Sequence, residues 1–67
     1  MQLVEVAGGC SGGTCPTVYE TVRGTYVVQG YVVADQEALT ALDLPAGESA
    51  VEVPADLLRD FVAGLRR

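Results

Sequence analysis

The sequence predicts a small α+β domain of order β-β-β-α-β-α, in which an antiparallel sheet of about four strands carries a C-terminal helix on one face. Two observations predict it: β-branched and aromatic residues fill neighbouring runs between positions 17 and 33, and apolar residues recur at helical spacing after Pro54. The chain has 67 residues. This length predicts a single domain, residues 1–67, and because a domain this short buries only about 60% of the surface that its unfolded form exposes, we expect a small margin of stability.

The N-terminal half predicts three strands. Residues 2–7 alternate as a half-buried strand does, with Val4 and Val6 on one face. The runs 17–22 and 25–33 consist mostly of β-branched and aromatic residues, which favour strands. Gly30 interrupts the second run, and glycine within a strand marks a bulge or a close backbone approach. We therefore expect the third strand to bend at Gly30.

Arg23 and Gly24 lie between the second and third predicted strands. A pair of residues that ends in glycine between two strands fits a tight two-residue hairpin turn. Such a turn places Thr21 opposite Tyr26, and it makes this hairpin the centre of the predicted sheet.

The C-terminal half predicts a short helix at 36–42, a strand at 48–53 and a longer helix that begins at Pro54. Asp35 suits the N-cap of the first helix, and Arg66-Arg67 would complement the dipole at the end of the second. The second helix carries its apolar residues at helical spacing, and we expect it to cover one face of the sheet: Leu57, Leu58, Phe61, Val62 and Leu65.

The chain is acidic, with a net charge of −5, four arginines, and no lysine or histidine. Direct nucleic-acid binding is disfavoured, because phosphate neutralisation needs a clustered basic surface. A protein partner with a basic surface suits the charge better; the alternative is that the charge keeps a small apolar domain soluble. No apolar run approaches the length of a membrane span and the N-terminus does not resemble a signal peptide, so we expect a cytoplasmic protein without a membrane contact.

Cys10 and Cys15 lie in a glycine-rich loop between the first two predicted strands. A zinc site would need two further ligands from carboxylates or from a second subunit in a homodimer, because the chain has no other cysteine and no histidine. A redox pair is a second interpretation, although the spacing differs from C-x-x-C. A small disulfide, or two packed thiols, is the interpretation that the residues favour.

No catalytic arrangement stands out. Ser11 has no histidine to activate it, and the loop GGCSGG lacks the Gly-Lys-Ser/Thr ending of a phosphate-binding loop. The sequence therefore predicts a non-enzymatic protein without a cofactor, zinc being the alternative. The candidate partner-binding residues lie on the hairpin and are Tyr19, Tyr26, Tyr31 and Glu20, because tyrosine is favoured at interfaces. The alternative is that these tyrosines are ordinary half-buried strand residues.

The run CPTVYETVRGTYVVQGYVV followed by DQEALTALDLPAGESAVEVPADLL is similar to small acidic proteins of actinobacteria that are encoded beside helix-turn-helix regulators. The resemblance implies an accessory or antitoxin-like role, with a helix-turn-helix regulator or a toxin-like protein as the partner. The phrase LDLPAGESAVEVPADLL also resembles swapped-hairpin DNA-binding regulators, but the acidic charge departs from them. We therefore expect a protein-protein interaction module, the alternative being a zinc-binding or redox-responsive module built on Cys10 and Cys15.

Overall fold

The computed structural model describes residues 1–10 and 13–65. Its strands and helices, in chain order, are β1 (Leu3–Gly8), β2 (Thr17–Thr21), β3 (Tyr26–Gln29), β4 (Tyr31–Val32), α1 (Gln36–Leu42), β5 (Val51–Glu52) and α2 (Ala55–Leu65). The predicted α+β class is confirmed, as are the antiparallel pairing and the C-terminal helix on the sheet. The strands divide into a three-stranded sheet, β1-β2-β3, and a two-stranded sheet, β4-β5. Within the described residues, no helix is long and apolar enough to cross a membrane.

The main sheet is built around its central strand, β2. Val18 on this strand lies opposite Ala7 of β1 and Val28 of β3, and it is only 1% exposed. β1 begins and ends one residue later than predicted, and its register shifts between Glu5 and Ala7. A shift of this kind is a β-bulge, which adds one residue to an edge strand and increases its twist.

The predicted two-residue turn at Arg23-Gly24 is wrong. The backbone N–H of Thr21 donates to the carbonyl of Thr25 at 3.0 Å, so the loop has three residues, 22–24. Gly24 has φ +77°, the left-handed conformation that closes such a loop. The two threonine hydroxyls also lie 2.7 Å apart and bond to each other. As a result Glu20, and not Thr21, lies opposite Tyr26.

The break at Gly30 is confirmed, but the chain beyond it leaves the main sheet. β4 pairs with β5, with Tyr31 opposite Glu52. A Cβ atom on Gly30 would lie 2.7 Å from Cγ1 of Val53 and 2.8 Å from the carbonyl oxygen of Glu52. Glycine therefore allows the close approach that joins the two sheets, and the predicted strand at 48–53 shortens to Val51–Glu52.

α1 begins at Gln36, where the sequence predicts it, and α2 begins at Ala55, one residue later than predicted. The Asp35 carboxylate accepts a hydrogen bond from the backbone N–H of Ala38 at 3.3 Å and caps α1. α2 follows Pro54 and packs mainly on β1, and the Phe61 ring meets the Tyr26 ring edge to face at 4.9 Å between centroids. Its buried residue, Leu57, is 6% exposed. The predicted role of Arg66-Arg67 lies outside the described residues.

The hydrophobic core is small. Among the described residues, Val18 and Leu57 are the buried apolar side chains, and Thr17 and Thr21 are buried on the opposite face of the sheet. The chain exposes 5267 Å² of surface. A compact monomer of this mass would expose about 4,000 Å². Large apolar side chains also remain exposed, Val32 by 82%, so apolar surface is open to other molecules.

Candidate functional site

The three candidate tyrosines do not form one patch. Tyr26 lies on the face of the main sheet that α2 covers, Tyr19 lies on the opposite face, and Tyr31 belongs to the second sheet. Tyr19 is half-buried, and its hydroxyl donates to Oε1 of Gln29 at 3.2 Å. Tyr26 and Tyr31 are 47% and 59% exposed. The shared aromatic surface that the hairpin suggested is therefore absent, and a partner role for these residues stays a prediction.

Glu20 and Tyr26 are neighbours across β2 and β3. Together with Phe61 and Leu65 of α2 they line a cavity of about 210 Å³. Because an exposed carboxylate stands beside an aromatic ring there, this cavity could hold the tip of one partner side chain. It is too small to hold a larger segment.

Cys10 and Cys15 form a disulfide, with their Cα atoms 5.7 Å apart. The sulfur atoms are therefore not thiolate ligands in this state. Among residues 1–10 and 13–65, no three histidine, cysteine or carboxylate side chains cluster in a way that would hold a metal ion. This donor set does not fit zinc, which needs four ligands in a structural site.

The disulfide loop is hydrogen-bonded to the main sheet. Nε2 of Gln29 donates to the carbonyl of Gly13 at 3.2 Å, and Oε1 of the same amide accepts from Tyr19. The Thr17 hydroxyl donates to the carbonyl of Cys15 at 2.8 Å. One side of the loop is thereby tied to the sheet face that carries Tyr19.

No family model, curated protein or solved structure matches this chain.

The charge is divided unevenly between the two halves of the fold. The segment 31–54, which forms β4, α1 and β5, holds five carboxylates and no basic residue: Asp35, Glu37, Asp43, Glu48 and Glu52. The rest of the chain holds four carboxylates and four arginines. The whole net charge of −5 therefore belongs to this one segment.

The same segment contains an open apolar groove of about 540 Å³ between α1 and the β4-β5 sheet, which we call the α1 groove. Its apolar lining is Val33, Ala34, Ala38, Ala41, Leu42, Ala50 and Val51, and its polar lining is Asp35 and Glu52. All of α1 is described, and none of its residues is buried. The groove therefore combines uncovered apolar surface with negative charge.

Sequence reasoning missed the α1 groove. Ala38, Ala41 and Leu42 recur at helical spacing, and the count of charges over residues 31–54 was available from the sequence. These two signals together could have indicated a binding face on α1. The part that β4 and β5 contribute could not be foreseen, because each has only two residues.

A second apolar surface lies on the outer side of α2. Leu58 and Val62 are 48% and 45% exposed, one helical turn apart, and Arg59 lies between them in sequence. Here a cation accompanies the apolar residues, so this surface differs in charge from the α1 groove.

Proposed function

We propose that the chain is a non-enzymatic protein-protein interaction module, an accessory or antitoxin-like partner of a bacterial regulatory protein. The observation that carries the proposal is the α1 groove, an uncovered apolar surface within the segment that holds the whole negative charge. An exposed apolar patch on the surface of a small folded domain marks an interaction site. Negative charge around it favours a partner with a basic surface and speeds the encounter.

The nature of the partner comes from the resemblance to actinobacterial proteins encoded beside helix-turn-helix regulators. A regulator of that class carries a basic surface for DNA, which is the charge that an acidic module complements. In this proposal the module binds the regulator, or a toxin-like protein, and does not contact DNA itself.

Co-purification tests the proposal. The tagged chain is produced in an actinobacterial host and recovered in mild salt, with the tag alone as the control, and bound proteins are identified by mass spectrometry. We expect a stoichiometric regulatory protein that is released by high salt, because electrostatic attraction is screened. Recovery of no protein partner contradicts the proposal.

The disulfide supports a second candidate function, a redox-responsive module. Reduction would open the Cys10–Cys15 loop, and Gln29 links that loop to Tyr19 on the sheet. Amide and side-chain NMR spectra with and without dithiothreitol test this candidate. Changes at Tyr19 and Gln29 that are absent from the Cys10→Ser/Cys15→Ser variant would favour it, whereas changes confined to the loop would count against it.

Metal analysis of the reduced protein addresses the zinc alternative in the same samples. Stoichiometric zinc that is lost in the double serine variant, together with a loss of dimerisation, would favour a site shared between two subunits. Reduced protein without bound zinc would remove that alternative.

A further inference from the structure

We propose that the α1 groove binds a cationic amphipathic helix of the partner protein, with apolar residues along one side and lysine or arginine beside them. This inference rests on the proposed function and names the surface and the partner chemistry. The lining of the groove is apolar except for Asp35 and Glu52. A helix of this kind would place apolar side chains in the groove and basic side chains near these carboxylates.

The negative charge of residues 31–54 determines that the partner's binding surface is positively charged. Five carboxylates lie within residues 31–54 and no basic residue of the segment neutralises them. Asp35 also caps α1, because its carboxylate accepts a hydrogen bond from the backbone N–H of Ala38. A basic partner is therefore attracted and an acidic one is repelled.

The lining favours a helix over an extended strand. β4 and β5 have two residues each, so a strand added to either edge would gain few backbone hydrogen bonds. Four alanines line the groove, at positions 34, 38, 41 and 50. Small side chains let a helix approach closely, because the distance between packed elements depends on the side chains at the contact.

A second copy of this chain is the less suitable occupant. A twofold dimer through this face would set the same surface against itself, since a twofold interface uses one patch from both subunits. Each copy would bring five carboxylates without a basic residue in the segment. Like charges facing each other destabilise an interface.

The binding experiment uses a synthetic peptide of leucine and lysine, about 18 residues or roughly five turns long, with leucines at positions i, i+3, i+4 and i+7. A leucine-glutamate peptide of the same pattern and a scrambled leucine-lysine peptide are the controls. Binding to the full chain is measured by fluorescence anisotropy, and the site is mapped by NMR chemical shifts. We expect binding of the first peptide alone, with the largest shifts at Ala38, Ala41 and Val51.

A matched pair of variants separates the groove from net charge. Ala41→Arg and Ala63→Arg each add one positive charge at an exposed helical alanine, but Ala41 lines the α1 groove and Ala63 lies on α2. We expect Ala41→Arg to weaken binding at least about tenfold and Ala63→Arg to change it less than about twofold. Circular dichroism confirms that both variants fold.

Three outcomes overturn the inference. The first is equal weakening by both variants, which would show attraction to net charge alone. The second is a wild-type dimer that Ala41→Arg converts to a monomer, which would show that a second copy covers the groove. The third is a natural partner, recovered by co-purification, that binds Ala41→Arg as well as wild type. In this third case the interaction function stands and the α1 groove is not its site.

Discussion

Gly8 lies at the end of β1, where the main sheet meets α2. It has φ +75°, and a Cβ atom there would meet the Leu57 side chain and lie 2.6 Å from the carbonyl oxygen of Pro16. Gly24 has a similar φ of +77°, but nothing among the described residues lies within 4 Å of its Cβ position. An alanine at Gly8 would therefore meet both backbone strain and steric crowding, whereas an alanine at Gly24 would meet backbone strain alone.

We expect Gly8→Ala to lower the free energy of unfolding by about 2–4 kcal/mol, because left-handed strain and overpacking both act there. Gly24→Ala should cost about 1–2 kcal/mol, since only the backbone is strained. Urea denaturation of the two variants measures the difference. Equal losses would contradict the close approach of α2 to β1 at Gly8.

Leu57 and Leu58 are adjacent on α2 but differ in burial, at 6% and 48% exposed. Leu57→Ala should destabilise the fold by about 2–4 kcal/mol, because it removes one of the few buried apolar side chains. Leu58→Ala should cost less than about 1 kcal/mol. Helix propensity changes equally in both variants, so the difference in denaturation midpoint reports packing alone. A similar midpoint for both variants would mean that α2 does not pack on the sheet through Leu57.

The contribution of the disulfide to stability can be calculated from the number of residues in the ring that it closes. The bond between Cys10 and Cys15 closes a ring of six residues. Loop-closure entropy for a ring of this size corresponds to about 2 kcal/mol. We expect the Cys10→Ser/Cys15→Ser variant to lose this amount in urea denaturation, and dithiothreitol to lower the stability of the wild type alone. An unchanged midpoint in the variant would show that the bond does not constrain the unfolded chain.

At the scale of elements, the features that were predicted best are those that depend on residues adjacent in sequence. α1 begins after Asp35 as expected, because the cap lies next to the helix that it stabilises. The turn after β2 was not foreseen, since the hydrogen bonds between Thr21 and Thr25 favour a three-residue loop over the two-residue one. β4 and β5 could not be predicted as a separate sheet, because their pairing depends on a contact between Gly30 and Val53.

At the scale of the whole molecule, the candidate site was predictable only in part. Acidity predicted a basic partner, and the structure adds that the acidic segment 31–54 forms an open apolar groove. The tyrosines, chosen for their residue type, lie in three different environments: the register of β2 and β3 puts Tyr19 and Tyr26 on opposite faces of the main sheet, and Tyr31 belongs to the second sheet. A binding surface therefore depends on register and on which faces remain uncovered, and neither follows from composition.

A partner that binds the folded chain should raise the stability of the whole molecule. A ligand that binds only the folded form stabilises it by mass action, to an extent set by the ligand concentration and its Kd. At one hundred times its Kd, the leucine-lysine peptide should add about 2.7 kcal/mol, or about 10–20 °C in Tm for a domain of this size.

Differential scanning fluorimetry or calorimetry measures this shift. At the same peptide concentration, Ala63→Arg should gain the full increase and Ala41→Arg a much smaller one, because only the latter places a positive charge in the α1 groove. Added salt should reduce the shift in the wild type, since the attraction to residues 31–54 is screened. An equal increase of Tm in both variants would mean that the peptide binds neither the α1 groove nor the outer side of α2, which Ala63 lines, whereas a smaller increase in Ala63→Arg alone would indicate the outer side of α2.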